Sequence, residues 1–167
     1  NCAIISIYST PQGMAATSRI LAYSKGLNAN GVFVTIYNPF PTDTVTGKKS
    51  MPKSGIWDGV NYKYTSGRYL SRYKIIRGIY RLSGLKRIIG YFTSTIVITK
   101  NNIKAKINVV IISTDSIRNL LFYSFVSKLI KSKSVFIFDE FPIPIRHELK
   151  NKIPKLGKIR FFSIKKM

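Results

Sequence analysis

Two adjacent carboxylates, Asp139 and Glu140, close the apolar run 135–138 within the stretch SVFIFDEFPIPIRHELKN, in a chain of 167 residues with only six acidic ones. Four β-branched or aromatic residues in a row read as a strand covered on both faces, so the pair falls at a strand tip. Successive strand residues point to opposite sides; one carboxylate then faces a crevice, while the other can cap a helix beginning near Ile145. Glu140 is taken as the cleft-facing acid and Asp139 as the second choice. A carboxylate so placed can orient or deprotonate an incoming hydroxyl, the work of a general base. The alternative is a capping or salt-bridging pair in a basic protein.

Gln12 and Gly13 lie in the loop TPQGMAATS, ahead of the helix-like segment RILAYSKGLNANG. Backbone N–H groups at such a junction form an anion site; the competing reading is a plain turn glycine. Arg19, placed in the first turn of that helix, opposes the macrodipole and is a candidate contact for a phosphate or a carboxylate. Thr17 or Ser18 can cap the helix, and Gly31 suits the turn after it. Asp115, in IISTD, reads as the cap of a helix starting at Ile117. His147, the only histidine, reads with Arg146 as a surface residue. Cys2 is the only cysteine, so neither a disulfide framework nor a zinc site is expected, and a reducing, cytoplasmic setting fits. No Asp-x-Asp pair or ligand cluster implies a metal.

The elements that must hold these residues alternate. CAIISIYS and VFVTIYN are apolar runs on either side of the first helix, a βαβ unit. The stretch 39–58, rich in Pro, Gly, Ser and Thr, reads as a long loop. GVNYKYT alternates Val60, Tyr62 and Tyr64 with polar neighbours, the pattern of a half-exposed edge strand. From Arg68 to about Phe92 the period turns helical, with Ile75, Ile79 and Leu82 on one face and Lys74, Arg77 and Arg81 on another. INVVIIS is a buried strand. The next segment is a helix with Ile117, Leu121, Phe125 and Leu129 in register, and SVFIFDE is the last strand. Five strands alternating with helices predict an α/β, three-layer, Rossmann-like domain whose parallel sheet has the order 3-2-1-4-5. Ligands of such sheets bind beyond the carboxyl ends of the strands, near the switch point.

The net charge of +22 calls for a polyanionic partner, an anionic membrane surface or a compositional bias of the source. The basic face of Lys74, Arg77 and Arg81 is the candidate for an anionic bilayer, where each cation contributes about 1 kcal/mol. The apolar stretch IIGYFTSTIVIT is too short for a membrane span, which needs roughly 20 residues.

GMAATSRILAYSKGLNANGVFVTIYNP resembles the first βαβ unit of the N-terminal domain of family 4-like bacterial glycosyltransferases of the GT-B fold, and FDEFPIPIRHELKN resembles the segment that closes their fifth strand. A second glycine is common in that family where Met14 stands here. The resemblance implies that residues 1–167 are the acceptor-side half of a glycosyltransferase, with the donor-binding C-terminal domain absent. It also implies that a sugar moves from a nucleotide-sugar donor to a glycan or lipid-linked acceptor, as in polysaccharide biosynthesis. Gln12, Gly13 and Arg19 would then edge the acceptor or donor-phosphate site, and Glu140 or Asp139 would act on the acceptor hydroxyl. No cofactor is implied, the nucleotide-sugar being a substrate, and the location would be cytoplasmic and peripheral to the membrane. Two rivals stand beside it: a basic nucleic-acid-binding α/β module, for which the charge is the sole argument, and an inactive remnant.

Overall fold

The strand CAIIS is buried at all five positions, as only the centre of a sheet allows. The computed structural model describes residues 1–11, 13, 15–40, 42, 52–67 and 85–137. Along the chain run β1 (Cys2–Ser6), α1 (Ala15–Ala29), β2 (Val34–Asn38), β3 (Ser54–Trp57), β4 (Val60–Tyr64), α2 (Leu85–Lys104), β5 (Val109–Ser113), α3 (Ile117–Leu129) and β6 (Lys133–Ile137). They form an α/β structure with a six-stranded sheet in the order β3-β4-β2-β1-β5-β6. All neighbouring pairs are parallel except β3 with β4.

The expected five-strand order 3-2-1-4-5 is therefore corrected by an added antiparallel strand at the sheet edge. Ser54–Trp57, expected to be loop, pairs with β4. The turn between them is Asp58-Gly59, both at positive φ (52° and 76°), the combination that matches the twist of a tight hairpin. Because β3 covers it, β4 is not the edge strand: Val60, Tyr62 and Tyr64 are all buried. At the other side, β6 was expected to be covered on both faces. It holds the edge position that the expected order gives the last strand, but it is not buried on both faces: its first three residues are exposed, Val135 among them.

Strand alternation divides the core in two. On one face Ile4, Val34, Ile36, Val60 and Tyr62 pack with Ile20 of α1. On the other, Ala3, Ile5, Val110 and Ile112 pack with Ile98 of α2 and with Leu120, Tyr123 and Val126 of α3. Helix α1 ends in a Schellman turn, with Val32 N–H donating to the Leu27 carbonyl (3.0 Å) and Gly31 N–H to that of Asn28 (3.0 Å); Gly31, at φ 77°, supplies the left-handed residue this requires. Thr17 and Ser18 are not its caps, since the helix already begins at Ala15. Helix α2 extends the expected helical region to Lys104, and the portion before Leu85, with Lys74, Arg77 and Arg81, lies outside the described residues.

Helix α3 is rotated from its expected register. Leu121, Phe125 and Leu129 are exposed, and Asn119, Leu120, Tyr123, Val126 and Ser127 are buried. The reason is polar pairing inside the helix layer: Ser94 of α2 shares a hydrogen bond with the Tyr123 hydroxyl (2.9 Å), and the Tyr91 hydroxyl donates to Asn119 Oδ1 (2.6 Å). Buried polar groups that find partners can outweigh a purely apolar stripe.

Candidate functional site at the carboxyl edge of the sheet

Ser6, Asn38, Tyr64 and Ser113 end β1, β2, β4 and β5 at one edge, fixed there by the parallel registers. The loop from β1 to α1 is tied down by buried polar groups of these strand ends. Asn38, fully buried, donates through Nδ2 to the Ser6 carbonyl (3.2 Å) and to that of Tyr8. The Tyr64 hydroxyl, also buried, accepts from Thr10 N–H (3.0 Å) and hydrogen-bonds Thr42 Oγ1 (2.8 Å). Across β2, Thr65 N–H donates to the Asn38 carbonyl (3.0 Å). Asn38 Oδ1 is buried and unpartnered among the described residues, so this wall holds an acceptor without a donor.

At the loop-to-helix junction, Thr17 Oγ1 donates to the Ser9 carbonyl (2.7 Å). Gly13 lies against that contact: a Cβ there would come 2.1 Å from Thr17 Oγ1 and 2.7 Å from the Ser9 carbonyl oxygen. The glycine is thus required by packing at the junction, and its backbone stays exposed. Gln12 lies outside the described residues. Arg19 is exposed and, four residues after Ala15, starts the second turn of α1 instead of standing in the first.

The opposite wall comes from α2 and α3. Tyr91 stacks on Phe122 (centroids 4.2 Å apart) and meets Phe40, just past β2, edge-on at 5.6 Å. Burial pushes the Tyr91 hydroxyl above its ordinary value, against the opposing pull of Arg87 and Arg118; its bond to Asn119 keeps it a donor. Burial raises the Tyr123 hydroxyl further. Asn119 Nδ2 in turn donates to Thr114 Oγ1 (3.2 Å), which also accepts from Ser116 N–H (3.1 Å). Ser116 is the cap residue of α3 and uses no side-chain bond for it; the expected cap, Asp115, is one residue earlier and exposed.

The approach of Phe40 to α2 depends on Gly90. A Cβ there would fall 2.4 Å from the Phe40 ring and 2.7 Å from the Pro39 carbonyl oxygen. Gly26, in α1, has nothing within 4 Å of the same atom. Gly26→Ala is therefore expected to stabilise by about 0.5–1 kcal/mol through helix propensity alone. For Gly90→Ala the crowding costs about 1–3 kcal/mol and outweighs that gain. Thermal melts of the two variants check the opposite signs.

Strand β6 ends at Ile137, in register with Ser113 and through it with Ser6, so the chain leaves β6 at the same edge; Asp139 and Glu140 themselves lie outside the described residues. The described part of the edge is built from hydroxyls, amides and backbone groups, with Asp115 its carboxylate. Groups of this kind are able to exchange hydrogen bonds with hydroxylic or anionic groups. Among the described residues no group of His, Cys, Asp and Glu could hold a metal ion, and Cys2 is buried, its thiol pushed up by burial.

Two clefts lined by described residues lie away from this edge. One of about 150 Å³, lined by Asn1, Tyr37, Asn101 and Lys104 among others, is at the opposite end of the sheet. A shallow groove of about 420 Å³ runs between Tyr23, Gly26 and Leu27 of α1 and Ile111 and Ile137 of the sheet. Asn38, Tyr64, Gly90 and Asn119 carry the site's geometry and were not legible as site residues. The one sequence cue was position, a polar residue at a strand end. Family models and curated proteins give no match to this chain.

Proposed function

We propose that the chain is the acceptor-side, Rossmann-like half of a GT-B glycosyltransferase, moving a sugar from a nucleotide-sugar to a glycan or lipid-linked acceptor at the inner face of the cytoplasmic membrane. The observation that carries this reading is the junction at Gly13. Its packing against Thr17 and Ser9 brings exposed loop backbone to the start of α1, beside the switch point where β1 leads one way to β2 and the other way to β5. The family resemblance of the segments around it supports the same reading. In it, Gln12, Gly13 and Arg19 edge the acceptor or phosphate site, Glu140 acts on the acceptor hydroxyl, and Asp139 has a structural role. The groups that hold the leaving diphosphate belong to a second domain, where electrostatic stabilisation would dominate the chemistry.

The test separates binding from turnover. Residues 1–167 alone are expected to show no transfer from any nucleotide-sugar, while binding a glycan acceptor in a way that Gly13→Val weakens. Turnover by this chain alone would overturn the two-domain reading. Tight, salt-sensitive binding to DNA without glycan binding would favour a nucleic-acid module.

A further inference from the structure

The outward faces of α2 and α3 are apolar where a solvated helix is polar. On α2, Ile88, Phe92, Ile96 and Ile103 are 39–79% exposed; their spacing places them on one stripe opposite the buried Ser94 and Ile98. On α3, Leu121, Phe125 and Leu129 are 52–59% exposed and follow one another every fourth residue. The stripes belong to one surface, because the Tyr91–Phe122 stack and the Ser94–Tyr123 hydrogen bond hold the helices side by side. Apolar side chains scattered singly need no explanation, but a contiguous set on two adjacent helices marks an interaction face.

Charge says what that face meets. Arg87, Lys100, Lys104, Arg118 and Lys128 are exposed on the same two helices, and neither helix contains an Asp or a Glu. We infer that the outer α2–α3 face docks on an anionic lipid surface, with the apolar stripes seated at the headgroup boundary and the cations among the lipid phosphates. Long Lys and Arg stems suit this arrangement, since they bury their methylenes while the charge stays in the headgroup layer. The helices lie in the plane of the interface; among the described residues no helix is long and apolar enough to cross a membrane. A second copy of the chain fits the face poorly, because it brings the same cations against the first set with no carboxylate between them. This inference stands without the transferase reading, and it places the membrane contact on residues other than Lys74, Arg77 and Arg81.

Co-sedimentation of the 167-residue chain with vesicles of phosphatidylcholine, with and without phosphatidylglycerol, tests it. Binding is expected only to the anionic vesicles and is expected to weaken with added salt. Phe92→Ser combined with Phe125→Ser is expected to cut the partition coefficient by about tenfold or more, with an unchanged thermal melt because both side chains are exposed. Parental binding by the double variant would overturn the inference, leaving a diffuse charge attraction. Equal binding to neutral vesicles would also overturn it, as would a dimer in solution that the double variant dissociates while the parent ignores both kinds of vesicle.

Discussion

Asn38→Asp is expected to make stability strongly dependent on pH. Asn38 is fully buried and directs its Nδ2 at the carbonyl oxygens of Ser6 and Tyr8. A protonated carboxyl can replace one of those donations; an ionised one would face two carbonyl oxygens with no donor among the described residues. Burial and the neighbouring oxygens both disfavour the charged form, so the carboxyl value in the folded state is raised above the unfolded value of about 4. The folded state then binds more protons than the unfolded state above that value, and stability falls as pH rises. Relative to the parent at the same pH, the variant is expected to lose about 1–2 kcal/mol at pH 3, for the missing hydrogen bond. Three pH units above the unfolded value add up to about 4 kcal/mol by pH 7. Urea melts at the two pH values measure the difference. A loss independent of pH would show that Asn38 is not sealed from water.

Glu140→Gln, in the two-domain enzyme proposed above, is expected to lower turnover by roughly 10²-fold or more while leaving folding intact, as when a positioned general base is lost. Asp139→Asn is expected to cost about 1 kcal/mol of stability, if it removes a helix cap, and to change turnover little. Both substitutions are nearly isosteric, so packing cannot account for a difference between them. Steady-state rates and thermal melts on the pair decide between the roles. If neither changes turnover, the carboxylates are structural; an effect confined to Asp139 inverts the assignment.

The β1–α1–β2 unit is legible because each signal stands alone: two short apolar runs, a helical segment between them, and Gly31 where a left-handed residue closes the helix. The hairpin of β3 and β4 was obscured by its setting. Its Asp58-Gly59 turn is a strong local cue, but Ser54–Trp57 sits in a stretch whose Pro, Gly, Ser and Thr content reads as loop. Helix α3 defeats periodicity for a different reason. Leu120, Tyr123 and Val126 make one apolar face and Leu121, Phe125 and Leu129 another, so a pattern count cannot say which is inside. The partners that decide it, Ser94 and Tyr91, lie about thirty residues away in sequence. The site suffers from the same difficulty. Asn38 at a strand end resembles turn chemistry, and only the folded arrangement shows it as a buried clamp on the preceding loop.

The polar contacts between α2 and α3 have a mechanical consequence. Apolar helix surfaces can slip past one another because dispersion has no preferred direction, whereas the Ser94–Tyr123 and Tyr91–Asn119 hydrogen bonds act like dowels. Sliding one helix by a single turn, about 5.4 Å, would pull both bonds apart and take from the buried Tyr123 hydroxyl and Asn119 Oδ1 their partners on α2, at about 1–3 kcal/mol for each group left unpaired. The two helices therefore behave as a stiff plate, and the ridges on its outer side keep a constant separation. Whatever they press against is met by a stamp of fixed relief and not by two fingers that adjust independently.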